Sequence, residues 1–340
     1  MTRRIRRLLL CSAILFFILA TPTILLYAWG YSFDWQKKKL ALTGAFYLES
    51  IPKKAEVELQ PPFKIFGGET KKETPVFIKR LLPKDYQVKI SKHGFHPWQK
   101  KLKVESKLVT EARNILLIPL QPEIEIVNEK LPINFSLEKF LEQEKSDIIF
   151  YIQEPSYILY KTDQAGSFQE QISLTPLPAE RQYQIFASPN EKIAVLNEKK
   201  QLYFLNSETR SFELLAENVQ GIQFANDNKK LLYFTPTEIW VYYLEDIFRQ
   251  PNKKAGDKEL ITRLSQKIET AIWFPRTNEH IIFTVSQTVK IIELDDRDYR
   301  NTNDLFNFEI SQIAYSEEDE KLYFIREDKL LRIGLSQSRD

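Results

Sequence analysis

Cysteine is almost missing from this 340-residue chain: the single thiol, Cys11, lies inside an apolar N-terminal run. The remainder can therefore form neither an internal disulfide nor a cysteine-ligated metal site, and its stability must come from packing and hydrogen bonds. Histidine is scarce too, with His93, His96 and His280 the whole supply, which leaves few general bases and few zinc ligands. Nine glycines leave little for phosphate-cradling loops, and neither a G-x-S-x-G elbow nor an H-E-x-x-H helix is present. Charge of one sign is lacking as well: 48 basic residues face 46 acidic ones, for a net charge of +2, so no global field attracts nucleic acid. From these absences we expect a non-enzyme with no catalytic residue, no cofactor, no metal and no nucleic-acid partner.

What the chain has in quantity is aromatic. Twenty-three Phe and 15 Tyr stand against one Met, a bias that suits pleated, half-buried strands. The expected fold class is all-β apart from one N-terminal transmembrane helix. The length accommodates a small module plus a large repeat array, since single cores stop growing near ~250 residues.

Arg3, Arg4, Arg6 and Arg7 precede an apolar run over residues 8–30. At ~1.5 Å rise per residue this run can cross a ~30 Å hydrocarbon layer. Tyr27, Trp29, Tyr31 and Trp35 cluster where it should emerge, as rings that favour the headgroup level do. The run outlasts the apolar core of a cleavable signal peptide and carries no clear A-x-A site, which favours an uncleaved anchor over residues 1–36. Lipidation of Cys11 is disfavoured by bulky Leu10 before it. The expected partner of residues 8–30 is the lipid bilayer, and the expected location is the cell membrane: single-pass, N-terminus cytoplasmic, bulk extracytoplasmic. Lys37, Lys38 and Lys39 on the far side weaken the charge contrast on which that orientation rests.

Residues 43–119 hold short runs of strand type at 45–50, 55–59, 76–79, 86–91, 102–104 and 115–117, several alternating apolar with polar, which predicts a compact β-sandwich. Gly44, Ser50, Pro52, Ala55, Val57, Gly67, Gly68, Thr74-Pro75, Leu82-Pro83, Tyr86, Val88 and Gly94-Phe95 give this stretch its character. In these residues it resembles the PEGA family, small β-sandwich modules of bacterial and archaeal surface proteins. Lys53-Lys54 stands where that family favours an acidic-glycine turn, and Lys84 where glycine is usual. The resemblance implies a structural or binding module of an envelope protein, without catalytic activity. The module is rich in basic side chains: Lys53, Lys54, Lys64, Lys71, Lys72, Lys79, Arg80, Lys84, Lys89, Lys92, Lys100, Lys101, Lys103 and Lys107. Two readings stand side by side: attraction to anionic cell-wall polymer or lipid headgroups, and a solvated surface that discourages edge-to-edge strand pairing. His93 and His96 flank a turn glycine with no third ligand in reach, which argues against a metal.

A pattern repeats through residues 122–335: a strand ending in an aromatic, a polar turn, then two strands, the first entered by a lysine or polar residue. Its aromatics Phe186, Phe224, Phe274 and Tyr315 are spaced by about 38, 50 and 41 residues, a period that suits the four-stranded blade of a β-propeller. An upstream partial copy, with paired strands at 147–153 and 157–161 and an outer strand at 168–174, brings the count to about five blades. The last copy lacks its outer strand, and residues 123–127 could supply it and close the ring. The layout resembles WD-repeat-like propellers generally, without their Trp-Asp and Gly-His signatures. Two stacked sandwiches, or an open array needing a partner, are the rival architectures. The insertion 246–258 reads as an exposed loop. Asp295, Asp296 and Asp298 lack the glycine and glutamate of a calcium loop and read as a solvated turn. Trp240, Tyr242, Tyr243 and Trp273 read as packing residues rather than a carbohydrate platform. The expected function is a surface-displayed binding or scaffolding protein of the cell envelope, with an unknown protein partner on the propeller. The alternatives are an envelope carbohydrate-active hydrolase using two propeller carboxylates, and a purely structural stalk.

Overall fold

A computed structural model describes residues 3–61, 72–141 and 147–335. Gly67, Gly68, Lys64 and Lys71, singled out above, lie outside the described residues. The chain divides into two compact units, one of Met1–Leu117 with Arg297–Tyr299, the other of Ile118–Asp296 with Arg300–Asp340.

The first unit opens with the helix Arg3–Ala28, 26 residues long with none buried, which is long and apolar enough to cross a membrane. Two of its hydroxyls are satisfied internally: Ser12 Oγ donates to the Leu9 carbonyl at 2.9 Å and Thr23 Oγ1, beside Pro22, to the Leu19 carbonyl at 3.1 Å. Residue 36, where the sequence reading ends the anchor, falls in the turn of a hairpin that pairs Tyr31–Asp34 with Lys39–Leu42. The alternation Tyr31, Phe33 against Leu40, Leu42 is strand-like but too short to stand out beside the apolar run.

Two sheets follow around one core. Val76–Leu81, Gly44–Ile51 and Val109–Leu116 form the first, the last two running parallel. Lys72–Glu73, Glu56–Gln60, Asp85–Ser91 and Trp98–Lys103 form the second. Phe46, Leu48, Ile78, Val88, Ile90 and Leu102 fill the space between them. Gly44 is required where it stands, because a Cβ there would lie 2.2 Å from the Glu105 carbonyl oxygen. Ser50, Pro52, Ala55 and Thr74 meet in one knot: Ser50 Oγ bonds the Thr74 hydroxyl at 2.6 Å and the Pro52 carbonyl at 2.8 Å, and the Ala55 N–H donates to the Thr74 hydroxyl at 3.1 Å. The strand expected at 102–104 is instead Trp98–Lys103, with Trp98, Lys100 and Leu102 on the inward face. A lysine at an inward position disguises the alternation, and Lys100, grouped above with the surface lysines, is fully buried beside Trp98.

The second unit is a β-propeller of five small sheets among the described residues. Blade 1 has three strands, Ile148–Gln153, Ile158–Asp163 and Glu170–Gln171. Blade 2 runs Tyr183–Ala187, Ile193–Asn197, Leu202–Asn206, Ser211–Ala216; blade 3 Gly221–Phe224, Lys230–Phe234, Glu238–Tyr243, Lys258–Arg263; blade 4 Ile268–Trp273, His280–Val285, Thr288–Glu293, Thr302–Asn307. Blade 5 takes Gln312–Ser316, Lys321–Arg326 and Lys329–Gly334, and its fourth strand is Ile124–Asn128 from the start of the unit. In blades 2, 3 and 4 the second strand is wholly buried, which explains the run of apolar residues after each polar turn.

The polar turn has a common construction. Ser188, Asp227, Thr277 and Asp319 each accept a backbone N–H, from Lys192, Lys229, Glu279 and Lys321, and a left-handed residue follows in each: Glu191, Asn228, Asn278 and Glu320. Short side-chain acceptors hold such turns by mimicking the backbone. Neighbouring blades share cores: Leu159 with Val195, Leu196 with Leu231, Val241 with Trp273. Between blades 4 and 5 Phe306 lies 4.7 Å from Phe324 and Phe274 5.3 Å from Tyr315. A short helix, Leu137–Leu141, which the sequence pattern did not announce, buries Leu137 against Tyr323, Ile325 and Leu330. Five residues are too few to display a 3.6-residue period.

Candidate functional site

Between blades 4 and 5 a cleft of about 530 Å³ opens on the face that carries the turns joining second and third strands. Three connections build it. Gln287 comes from such a turn in blade 4, Asn307 to Ser311 from the link between the blades, and Arg326 with Glu327 from the equivalent turn in blade 5. Left-handed residues set both turns, Ser286 with φ 55° and Glu327 with φ 57°.

The cleft wall is an aromatic stack capped by a cation. Phe308 stacks on Phe306 with centroids 4.5 Å apart and lies 5.7 Å from Phe324, while the Arg326 guanidinium sits 4.6 Å over the Phe308 ring. Phe324 is fully buried and Phe306 nearly so, so the stack is anchored in the blade core. Arg326 itself is exposed, and Glu309 and Glu327 line the same cleft. Ser311 is fixed by its N–H to the Ile325 carbonyl at 2.9 Å, and Thr288 Oγ1 donates to the Asn307 side-chain carbonyl at 3.1 Å. Such a surface offers a guanidinium fork, amides and a hydroxyl to a polar partner over a rigid aromatic support. None of these residues was singled out in the sequence. They share no spacing, and only the angle between two blades brings them together.

The residues that were singled out lie elsewhere. Trp273 and Tyr243 are buried, Trp240 stacks on Tyr233 at 6.3 Å, and Tyr242 meets Phe204 edge-on at 5.4 Å, so all four pack the blades. Burial drives the Tyr233 hydroxyl pKa up to about 12. Asp296 is held by Lys253 at 2.8 Å, and no group of three His, Cys, Asp or Glu among the described residues could hold a metal ion. The insertion 246–258 is not simply a solvated loop: Ile247 bridges to Lys253, whose ammonium turns inward to Glu259 at 2.7 Å. Glu259 also receives Arg300 at 2.5 Å and the Tyr243 hydroxyl at 2.7 Å. These pairings hold the Asp296 carboxyl below its ordinary pKa against the opposing effect of burial. In the sandwich, Lys89, Lys101 and Lys103 are paired with Glu58, Asp85 and Glu105 at 3.6, 3.1 and 3.2 Å. His93 is exposed and His96 half-buried in the turn before Trp98.

No family model matches the chain, and no curated protein matches it. Solved structures with loosely similar folds include a gluconolactonase from Xanthomonas campestris, at 10% identity and a TM-score of 0.34 over 53% of this chain and 66% of that one. YCF48 from Cyanidioschyzon merolae is 9% identical with a TM-score of 0.39, covering 74% of this chain and 77% of that one. The tricorn protease is 16% identical with a TM-score of 0.38, over 75% of this chain and 25% of that one.

Proposed function

We propose that the chain is a membrane-anchored binding or scaffolding protein of the cell envelope, displayed outside the cytoplasm, with the propeller as its partner-binding platform. The observation that carries this reading is the helix Arg3–Ala28, which leaves every one of its residues unburied at the start of the first unit. Eleven exposed Leu, Ile and Phe side chains between Leu8 and Leu25 have no place in water, whereas a bilayer accepts them. The two-sheet module serves as a spacer, in the manner that its resemblance to PEGA modules in residues such as Ser50, Pro52, Ala55 and Thr74 implies. Its exposed lysines, Lys53, Lys54, Lys79 and Lys107, face anionic polymer or headgroups. The cleft beside Phe308 and Arg326 receives the partner, through a surface that pairs with its amides, hydroxyl and mixed charges.

The hydrolase reading draws on one feature, the presence of Glu309 and Glu327 in the same cleft. A photoreactive side chain at Gln287 in intact cells tests the binding reading. Crosslinking to an envelope component is expected, and the Arg326→Glu exchange should remove it. Equal crosslinking from Arg249, an exposed residue of the insertion, would count against the cleft. Display is checked with a cysteine placed at Arg249 in a Cys11→Ser chain. A membrane-impermeant thiol reagent should label it on intact cells, and labelling only after lysis would reverse the orientation.

A further inference from the structure

The hairpin that follows the helix leaves apolar side chains exposed toward its tip while Tyr31 and Leu42 at its base are half-buried. Among the described residues its strands Tyr31–Asp34 and Lys39–Leu42 pair with each other alone, in a register that sets Tyr31 against Leu42 and Phe33 against Leu40. Residues directly opposite share a face, so Tyr31, Phe33, Leu40 and Leu42 lie on one side and Ser32, Asp34, Lys39 and Ala41 on the other. In a water-facing hairpin the apolar side should be covered. Here the covered residue is Asp34, 8% exposed, while Phe33 is 41% and Leu40 49% exposed; burial pushes the Tyr86 hydroxyl pKa up and the nearby Asp34 carboxylate adds to the rise.

The turn keeps this geometry fixed. Asp34 Oδ1 accepts the N–H groups of Gln36 at 3.0 Å and Lys37 at 3.2 Å, and Lys38 takes a left-handed conformation with φ 49°. Trp35 is thereby held at the tip, 83% exposed and edge-on to Phe33 at 4.8 Å. Lys37, Lys38 and Lys39 around it are all exposed. The hairpin is also tied to the helix end: the Thr43 N–H and hydroxyl both donate to the Gly30 carbonyl, at 2.9 and 2.7 Å. Arg80 of the sandwich donates to the Tyr27 carbonyl at 3.2 Å, with its guanidinium 3.3 Å over the Tyr27 ring. A cation at a helix C-terminus is favoured by the helix dipole.

An aromatic and aliphatic face, rimmed by lysines and continuous with an apolar helix, matches the layer where ring side chains settle at the headgroups and ammonium groups meet lipid phosphate. We infer that this hairpin is a second membrane contact: it lies flat in the headgroup layer of an anionic bilayer, with Phe33, Trp35 and Leu40 immersed and Lys37, Lys38 and Lys39 on lipid phosphates. The inference rests on the reading of the helix as an anchor. The hairpin then fixes the sandwich close to the lipid surface instead of letting it swing on a tether.

Tryptophan quenching in the full chain, reconstituted into vesicles of phosphatidylcholine and phosphatidylglycerol, separates the two claims. Trp98 and Trp273 are buried and Trp240 is partly covered, so Trp29 and Trp35 are the exposed reporters. In a Trp29→Phe chain, lipid brominated near the headgroup end of its acyl chains should quench a fraction of emission that aqueous acrylamide does not reach. That fraction should vanish in the Trp29→Phe/Trp35→Phe chain. Exchanging Lys37, Lys38 and Lys39 for Gln should reduce it to the level seen in pure phosphatidylcholine. If Trp35 is open to acrylamide and untouched by brominated lipid while Trp29 in a Trp35→Phe chain is quenched, the anchor stands and the hairpin proposal falls. If neither residue is quenched by lipid, the anchor reading falls with it. Shielding of Trp35 from both quenchers, growing with protein density, would mean that a second copy covers the face, and would also overturn the proposal.

Discussion

Lys230 enters the second strand of blade 3 with its side chain only 1% exposed, between the carboxylates of Glu279 at 2.7 Å and Asp227 at 3.4 Å and 5.8 Å from the centre of the Trp273 ring. Burial raises the pKa of the Glu279 carboxyl, and Lys230 works against that rise. Removing one partner of a fully buried pair costs ~3–5 kcal/mol, because the other charge is left stranded. Glu279 keeps 30% of its side chain exposed, so water takes up part of the loss and we expect about 2 kcal/mol for Lys230→Met. The pH dependence has a definite sign. A carboxyl whose folded pKa lies above its unfolded value binds its proton more tightly in the native state, so its contribution favours folding at low pH and is lost as pH rises through the folded value. Without Lys230 that value climbs further, so the deficit of the variant should be largest near neutrality and shrink on acidification. Urea unfolding of the detergent-solubilised chain at several pH values, followed by near-ultraviolet tryptophan signals, measures it. A deficit that grows on acidification would mean that Glu279 is not the group left unpaired. Pairing it with Glu279→Leu should recover most of the loss, as expected when stranded charge rather than lost packing is the cause.

At the scale of elements, closure of the propeller depends on the strand Ile124–Asn128, which sets Ile124 against Ile333 and Glu125 against Arg332. Glu125 also accepts Lys321 at 2.9 Å and Arg332 at 2.8 Å, but it is about half exposed, and exposed pairs of this kind contribute little beside the strand ladder. Closure by backbone pairing predicts a specific crosslink. Residues directly opposite on antiparallel strands have Cα atoms ~4.5–5.5 Å apart, within the range a disulfide spans, whereas partners displaced by two residues lie ~7–8 Å apart. In a Cys11→Ser chain, Ile124→Cys with Ile333→Cys should oxidise readily and Ile126→Cys with Ile333→Cys should not. Equal oxidation of both would contradict the register. Much of this architecture was legible beforehand. The blade period followed Phe186, Phe224, Phe274 and Tyr315, and the alternation at 123–127 pointed to the closing strand. Three features were not. Lys100 hid a strand by placing a charge at an inward position, the helix Leu137–Leu141 is too short for a period, and the Phe308 cleft is assembled from connections whose side chains obey no pattern until the blades are set beside each other.

For the whole molecule, two forces could hold the chain to a membrane, and their magnitudes separate them. Each fully transferred Leu, Ile or Phe side chain is worth roughly 1.5–3 kcal/mol, and the helix carries eleven that are exposed between Leu8 and Leu25. Each lysine near an anionic surface adds on the order of 1 kcal/mol, and pairing with Glu58, Asp85 and Glu105 already engages Lys89, Lys101 and Lys103 of the sandwich. Salt acts on one force alone: between ~0.15 M and ~1 M the screening length falls from ~8 Å to ~3 Å, which weakens surface charge attraction and leaves apolar transfer intact. The full chain should therefore float with anionic vesicles at both ionic strengths and resist extraction at high pH. A chain beginning at residue 43, which lacks the helix and the hairpin and leaves the sandwich strands uncut, should remain in the aqueous phase at high salt, and whatever binding it shows at low salt should be confined to anionic vesicles. If the full chain washes off at ~1 M salt, its attachment is electrostatic and the helix does not span the bilayer. Salt-resistant flotation of the chain from residue 43 would instead move the membrane contact into the folded units, where the exposed apolar residues Phe77, Leu108 and Phe248 would be the first to exchange for serine.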